Sequence, residues 1–374
     1  MHLEHAVQVA AAACTLNRIQ NEYLELKNNR TTFSIHELLS SEYFNLNQFC
    51  TTFTPHPNAP GLIANAREYS ERYGIWLPNA EQYITCCMYL FPHAPLYRMY
   101  PIVKNCAVDF YLNDVMGREV YPRLSQAEKK MADALKDRLV SVTLDLQADK
   151  MPGLVETANL EMLKEIAETS TPEWFERFLG FYNYHLEVAH TDSNAAAHGR
   201  VLTVEEYIEL RCHISGMPHT VALIEYADGF LNWHILREIG VSELLNQLNW
   251  AVALIGCLMN DIFSFEKEVI DNNCDSNLIA IIALNHPVLK LAGAIRQASK
   301  IVQDLLIEQD YLTRKIRESV ATSTLAHPKV KDRVCSYLEG IERCIQAAWK
   351  WQVYTPRYKR AGSIWMETTL KTKA

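Results

Sequence analysis

The chain has 374 residues, 49% of them hydrophobic, which suffices for one large domain or two modest ones and argues against global disorder. A formal net charge of −8 and a pI near 5.9 argue against nucleic acid or an anionic membrane as the main partner. Ten cysteines occur without a C-x-x-C pair, so a zinc site has little support. A reducing, cytoplasmic setting is expected, with thiols acting as small hydrophobes.

Residues 1–30 read as an amphipathic helical extension ending in Lys27-Asn28-Asn29-Arg30, which could dock on the body or fray. No basic n-region marks a signal peptide, and no charge-free apolar stretch reaches transmembrane length, so no membrane span is expected. Pro55, Pro57 and Pro60 give an extended loop over 51–60, followed by a helix over 61–73. Mostly apolar helices cover 81–121, broken near Pro92, Pro95 and Pro101. Helical periodicity returns over 124–146 and 155–168. Thr171-Pro172 opens the next helix. Thr203 and Glu206 form a capping-box pattern and start a helix that carries Arg211, then meets Ser215-Gly216-Met217-Pro218. A Gly and a Pro so close should break it. Further helices are expected over 221–225, 241–268, 287–319 and 329–354. Strand alternation is nearly absent and no Gly-, Ser- or Pro-rich linker divides 31–374. The reading is therefore all-α, with one domain after the extension.

The apolar run 248–259 leads into Asn260-Asp261-Ile262-Phe263-Ser264-Phe265-Glu266-Lys267-Glu268. On a helix, Asn260, Ser264 and Glu268 fall four apart on one face. An amide, a hydroxyl and a carboxylate in a row suit a hard cation such as Mg2+, and Lys267 could hold an anion sharing it. The plain alternative is a solvated helix end. A second acidic cluster holds Asp109, Asn113, Asp114 and Glu119. Asp109 and Asn113 share a face; Asp114 and Glu119 lie five apart, about one and a half turns along the helix. Arg211, just before the helix break, could grip phosphate, or pair on the surface with Glu205 or Glu206. Pro356 should end the last helix and put Arg357 and Tyr358 on a loop, both able to donate to phosphate.

Together these residues resemble the bacterial-type class I terpene synthases over roughly 44–360. The 260–268 segment is similar to that family's N-D-x-x-S-x-x-x-E signature, which implies Mg2+ ligation by Asn260, Ser264 and Glu268 and a diphosphate contact from Lys267. Arg357-Tyr358 resembles the family's RY pair, Arg211 its diphosphate sensor, and Ser215 stands near its effector position. Asn277 fits the usual run. The first acidic motif departs from the D-D-x-x-D pattern, having no tandem Asp. One register matches Asp114 and Glu119, with Val115 in place of the second Asp. The other begins at Asp109 and ends at Asn113 and Asp114; the first is preferred.

The resemblance implies a helical bundle around a deep apolar cavity. Three Mg2+ ions would bind the diphosphate of a linear isoprenyl substrate, farnesyl or geranylgeranyl diphosphate. Ionisation and cyclisation would give a sesquiterpene or diterpene. Phe110, Tyr111, Trp250 and Trp351 are candidates to face the cation, though such aromatics are more often plain core. A chain-elongating transferase should carry a second Asp-rich motif where this chain has Asn, Ser and Glu. A non-catalytic helical binding protein would make the features coincidental. Homodimers are common among such folds.

Overall fold

A computed structural model describes residues 2–51, 53–147 and 151–370. Met1, Thr52 and residues 371–374, which fall in the expected extension, loop and domain end, lie outside it. Among the described residues there is no strand, only isolated bridges joining Phe33 to Trp365 and Arg360 to Thr369. The all-α expectation holds.

Helix Ser242–Phe265 is the axis. Apolar residues cover nearly its whole circumference, from Leu245 and Leu248 through Ile255, Leu258 and Ile262, and a helix apolar all round is a buried one. By length and composition alone the stretch Ser242–Asp271 could cross a membrane, but 83% of its apolar 18-residue window is buried within the fold. Around it pack Val204–Ile214, Met217–Asp228, Leu291–Thr322 and Pro328–Tyr354. Leu291–Thr322 is amphipathic: Leu291, Ala294, Ile295, Ala298 and Val302 recur at helical spacing on its buried side. Leu96–Met116 and Ala80–Leu90 close the remaining wall.

Most expected boundaries fall within a few residues of the observed ones. The expected capping box starts the helix at Thr203, Thr171 caps Pro172–Ala189, and a further capping box starts the helix after Ser125. Three expectations are corrected. Pro101 does not break its helix; it is buried inside Leu96–Met116, near enough to the start that one forgone N–H bond is offset by packing. The helix expected over 221–225 is the longer Met217–Asp228, because the break is a single residue, Gly216, at φ 72°. Glu119 is not on a helix, since Leu96–Met116 ends at Gly117. A Cβ there would lie 2.4 Å from the Asn113 carbonyl oxygen, so the turn that leaves the helix requires glycine.

The N-terminal helix His2–Asn28 docks on the body, with Ile19 and Tyr23 buried. Its anchor is Glu266. The Tyr23 hydroxyl donates to Glu266 Oε1 at 2.7 Å, and the Ile364 N–H donates to the same oxygen at 3.1 Å. One carboxylate inside the 260–268 segment therefore ties both ends of the chain to the central helix. Glu367 adds a second tie by accepting the N–H groups of Ile35 and His36 at 2.9 and 3.0 Å. These ties hold the C-terminal segment that carries Arg357 and Tyr358.

Candidate active site

Helix Ser242–Phe265 does not stop at its polar stripe but passes into a π-helical turn, Glu266–Asp271. Such turns concentrate at functional sites, and nothing in the spacing foretold it. Ser264 and Glu268 are buried, and Asn260 is half-buried. Glu268 Oε1 accepts from Arg118 at 2.9 Å and Oε2 from the Asn277 amide at 2.9 Å. Asn277 also caps Leu278–Asn285 through its own oxygen. Asn260 Oδ1 accepts from Arg211 at 3.0 Å, while its amide donates to Tyr358 Oη at 2.7 Å and Gln352 Oε1 at 3.0 Å. The Ser264 hydroxyl is buried without a hydrogen-bond partner.

The facing wall is the end of Leu96–Met116 and the turn after it. Asp114 Oδ1 receives the Asn113 amide at 3.1 Å and Arg357 at 3.2 Å. Arg357 also donates to the Tyr83 hydroxyl at 2.9 Å and lies 5.1 Å from that ring's centre. Glu119 Oε2 receives Lys267 at 2.6 Å and the Asn272 amide at 2.8 Å. Glu119 thus reaches the site from the turn rather than from a helical face shared with Asp114. Asp109 does not join this group: its Oδ2 pairs with His219 Nε2 at 3.0 Å. The Ser215 hydroxyl donates to the Cys212 carbonyl and accepts from the Met217 N–H, which stitches the helix break together on the cavity wall.

Two residues that spacing did not single out hold the walls together. Asp261, fully buried, accepts from Arg211 Nε at 2.7 Å, Arg118 at 3.4 Å, the Tyr207 hydroxyl at 2.5 Å and the Leu278 N–H at 2.9 Å. Arg118 bridges Asp261, Glu268 and the Ser276 backbone carbonyl. Asp261 was visible beside Asn260 but points to another face of the helix. Arg118 stood next to Glu119 with nothing to mark it as buried. Arg211 is not on the surface with Glu205 or Glu206; it is buried on Asp261 and Asn260.

Burial pushes the Glu268 carboxyl up, but Arg118, then Arg211 and Lys267, outweigh it and hold it at about 2, against 4.5 when free. Burial and neighbouring Arg118 act against the charge on Arg211, yet its affinity for the proton rises because Asp261 and Tyr207 face it. The stability carried by Glu268 is therefore complete above pH 4.5 and is lost as pH falls towards 2. Urea midpoints measured across that window should fall more steeply for the wild type than for Glu268→Gln. Parallel profiles would show that this carboxylate is not a source of acid sensitivity.

Of these groups, Asn113, Arg118, Glu119, Arg211, Asn260, Glu268, Arg357 and Tyr358 line a cavity of about 280 Å³, whereas Asp114, Ser264 and Lys267 do not; its size is near the lower end of the roughly 300–1,000 Å³ usual for small-molecule sites. Elsewhere its lining is mostly apolar, including Leu90, Phe91, Ile102, Ile214, Met217 and Leu223, apart from a polar patch with Asn105, Asp109, His185 and His190. Phe110 and Trp351 line it, whereas Trp250 and Tyr111 do not. Tyr83, which spacing also missed, stacks on Phe110 with ring centres 4.6 Å apart. Cys86, Cys87 and Cys106 also meet at this wall with their sulfurs within 4.8 Å of one another.

The donor set fits a hard divalent metal. Asn260, Ser264, Glu268, Asp114 and Glu119 offer only oxygen, and the unpartnered Ser264 hydroxyl is a buried polar atom that needs a partner.

Solved structures share this architecture. Germacradien-4-ol synthase from Streptomyces citricolor superposes with a TM-score of 0.66 over 81% of this chain and 98% of its own, at 16% identity. A cucumene synthase variant gives 0.64 over 82% and 98%, at 18% identity. The fold is that of the class I terpene synthases. A family model described as terpene synthase family 2, C-terminal metal binding, matches residues 104–308, just over half of the chain. The chain belongs to that metal-binding terpene synthase family. Curated relatives include sesquiterpene cyclase hepA of Aspergillus oryzae, 25% identical over 181 residues, 48% of this chain and 47% of that protein. Sesquiterpene synthase 1 of Postia placenta is 25% identical over 198 residues, 52% and 54% of the two chains. Spiroviolene synthase of Streptomyces violens is 22% identical over 220 residues, 58% and 56%. The chain spans about half the length of the curated relatives it matches.

Proposed function

We propose that this protein is a class I terpene synthase that ionises a linear isoprenyl diphosphate, farnesyl or geranylgeranyl diphosphate, and cyclises the resulting cation to a sesquiterpene or diterpene. One observation carries the reading. Glu119 on one wall and Asn260 with Glu268 on the other stand with Arg211, Arg357 and Tyr358 on the lining of one largely apolar cavity, and Asp114 and Lys267 pair with Arg357 and Glu119 there. The relatives described as sesquiterpene synthases add support.

Asn260, Ser264 and Glu268 on one side, and Asp114 with Glu119 and neighbouring Asn113 on the other, would hold Mg2+, three ions in the full complex. Bound there, Mg2+ would supply Lewis-acid stabilisation of the departing diphosphate. Arg211, Lys267 and Arg357 bring fixed positive charge to the leaving group, and the Tyr358 hydroxyl donates to it. The apolar lining keeps bulk water from the allylic cation, and Phe110 and Trp351 offer it ring faces.

Incubation with geranyl, farnesyl or geranylgeranyl diphosphate and Mg2+, with extracts analysed by gas chromatography–mass spectrometry, tests this directly. Cyclic terpenes with stoichiometric diphosphate release are expected, and chelation of Mg2+ should abolish both. A longer prenyl diphosphate formed only with added isopentenyl diphosphate would establish the chain-elongating transferase instead.

A further inference from the structure

The apolar cavity contains a polar patch that the diphosphate end does not use. Asn105 and Asp109 lie four apart on helix Leu96–Met116 and both line the cavity, as do His185 and His190. Asp109 Oδ2 holds His219 Nε2 at 3.0 Å. The His219 ring lies edge-on to Tyr182 and 5.1 Å from the His185 ring. Gly216 makes room for this stack, since a Cβ there would lie 2.7 Å from His219 Cε1 and 3.3 Å from His185 Cε1.

Three atoms of the patch are buried without a protein partner: Asn105 Nδ2, Asp109 Oδ1 and His219 Nδ1. A buried polar atom left unpaired is costly, and the Asn105 donor and the Asp109 acceptor, four residues apart on one helix and both on the cavity wall, are satisfied most simply by ordered water. His185 has a different vacancy of bonding. Its Nδ1 lies 3.0 Å from the His213 carbonyl oxygen, and a carbonyl can only accept, so the proton sits on Nδ1. That leaves the Nε2 lone pair without a partner among the described residues. Burial lowers the His185 pKa to about 3, which keeps the ring neutral and that lone pair available.

We infer that Asn105 and Asp109 hold a water molecule inside the cavity, the Asn105 amide donating to it and Asp109 Oδ1 accepting one of its O–H groups, and that His185 accepts the proton of the other, so that the product is a terpene alcohol rather than a hydrocarbon. This rests on the proposed cyclase activity. An oxygen lone pair of the water forms the new C–O bond to the cationic carbon. One O–H bond of the resulting oxonium breaks, its electrons stay on oxygen, and the proton passes to His185 Nε2. The neutral alcohol leaves, and the imidazolium returns its proton to solvent. A carboxylate fixed by His219 suits this place because it orients water while its charge steadies the nearby cation.

The test is the product spectrum in water enriched in oxygen-18. The wild-type protein with Mg2+ and farnesyl or geranylgeranyl diphosphate should give a cyclic alcohol two mass units heavier than in ordinary water. Asn105→Leu and His185→Phe should each lower the alcohol-to-hydrocarbon ratio at least tenfold. That ratio is read within the products formed, so a loss of folded protein does not mimic it. Cyclic hydrocarbon as the sole wild-type product would overturn the water site while leaving the cyclase reading intact. Alcohol formed in an unchanged ratio by both variants would overturn the assignment to these residues. No diphosphate release from any substrate would overturn the cyclase reading and this inference with it.

Discussion

Asp261→Ala should lower stability by about 3–5 kcal/mol, the usual cost of stripping the partner from a buried charge. Among the described residues Asp261 is the only carboxylate on which Arg118 and Arg211 both converge, and it also accepts from Tyr207 and the Leu278 N–H. Without it, Arg211 keeps only the Asn260 oxygen, and the Leu278 N–H at the start of helix Leu278–Asn285 loses its acceptor. Urea unfolding followed by circular dichroism measures the effect. Asp261→Asn should fall between the two, because an amide oxygen still accepts but the charge is gone. A wild-type midpoint for Asp261→Ala would show that the four-way junction does not hold the walls together.

Glu268→Gln should leave a folded protein whose Mg2+-dependent diphosphate release falls by more than the roughly 10–100-fold typical of changes to groups behind a metal ligand. The substitution keeps size and shape, and the remaining amide oxygen can still accept from Arg118. It removes the negative charge that would face the cation, and it turns one oxygen into a donor opposite either Arg118 or the Asn277 amide. Titrating Mg2+ against diphosphate release separates the causes: the half-saturating concentration should rise as well as the rate fall. Unchanged turnover at unchanged Mg2+ would remove Glu268 from the metal set.

The all-α architecture was legible because buried helices write their periodicity and caps into local sequence. Asn260 and Ser264 were legible for the same reason, since two residues on one helix need only the helix, whereas Glu268 follows in the π-helical turn. Arg118 and Asp261 were not, because what distinguishes them is burial against charged partners far away in the chain, Arg118 on Asp261 and Asp261 on Arg211. The position of Glu119 was misread for a subtler reason. Gly117 falls within the 81–121 stretch read as helical, and only its crowding against the Asn113 carbonyl shows that the chain must turn there. Asp109 had the right spacing to belong with Asn113, but a histidine from another helix takes it. The π-turn at Glu266–Asp271 has no counterpart in sequence periodicity at all.

The site's charges are already matched to one another. Arg118 rests on Glu268, Arg211 on Asn260 and Asp261, Arg357 on Asp114, and Lys267 on Glu119. On the proposed reading, a metal ion arriving alone must compete with a cation already seated on its ligands, and a diphosphate arriving alone must pull those cations from their carboxylates. When both arrive, each takes the partner the other releases. Binding is then cooperative, and linkage makes it reciprocal: the factor by which Mg2+ tightens diphosphate binding equals the factor by which diphosphate tightens Mg2+ binding. The resting protein would respond weakly to either ligand and strongly to the pair, so the ionising machinery assembles only when the whole substrate complex is present.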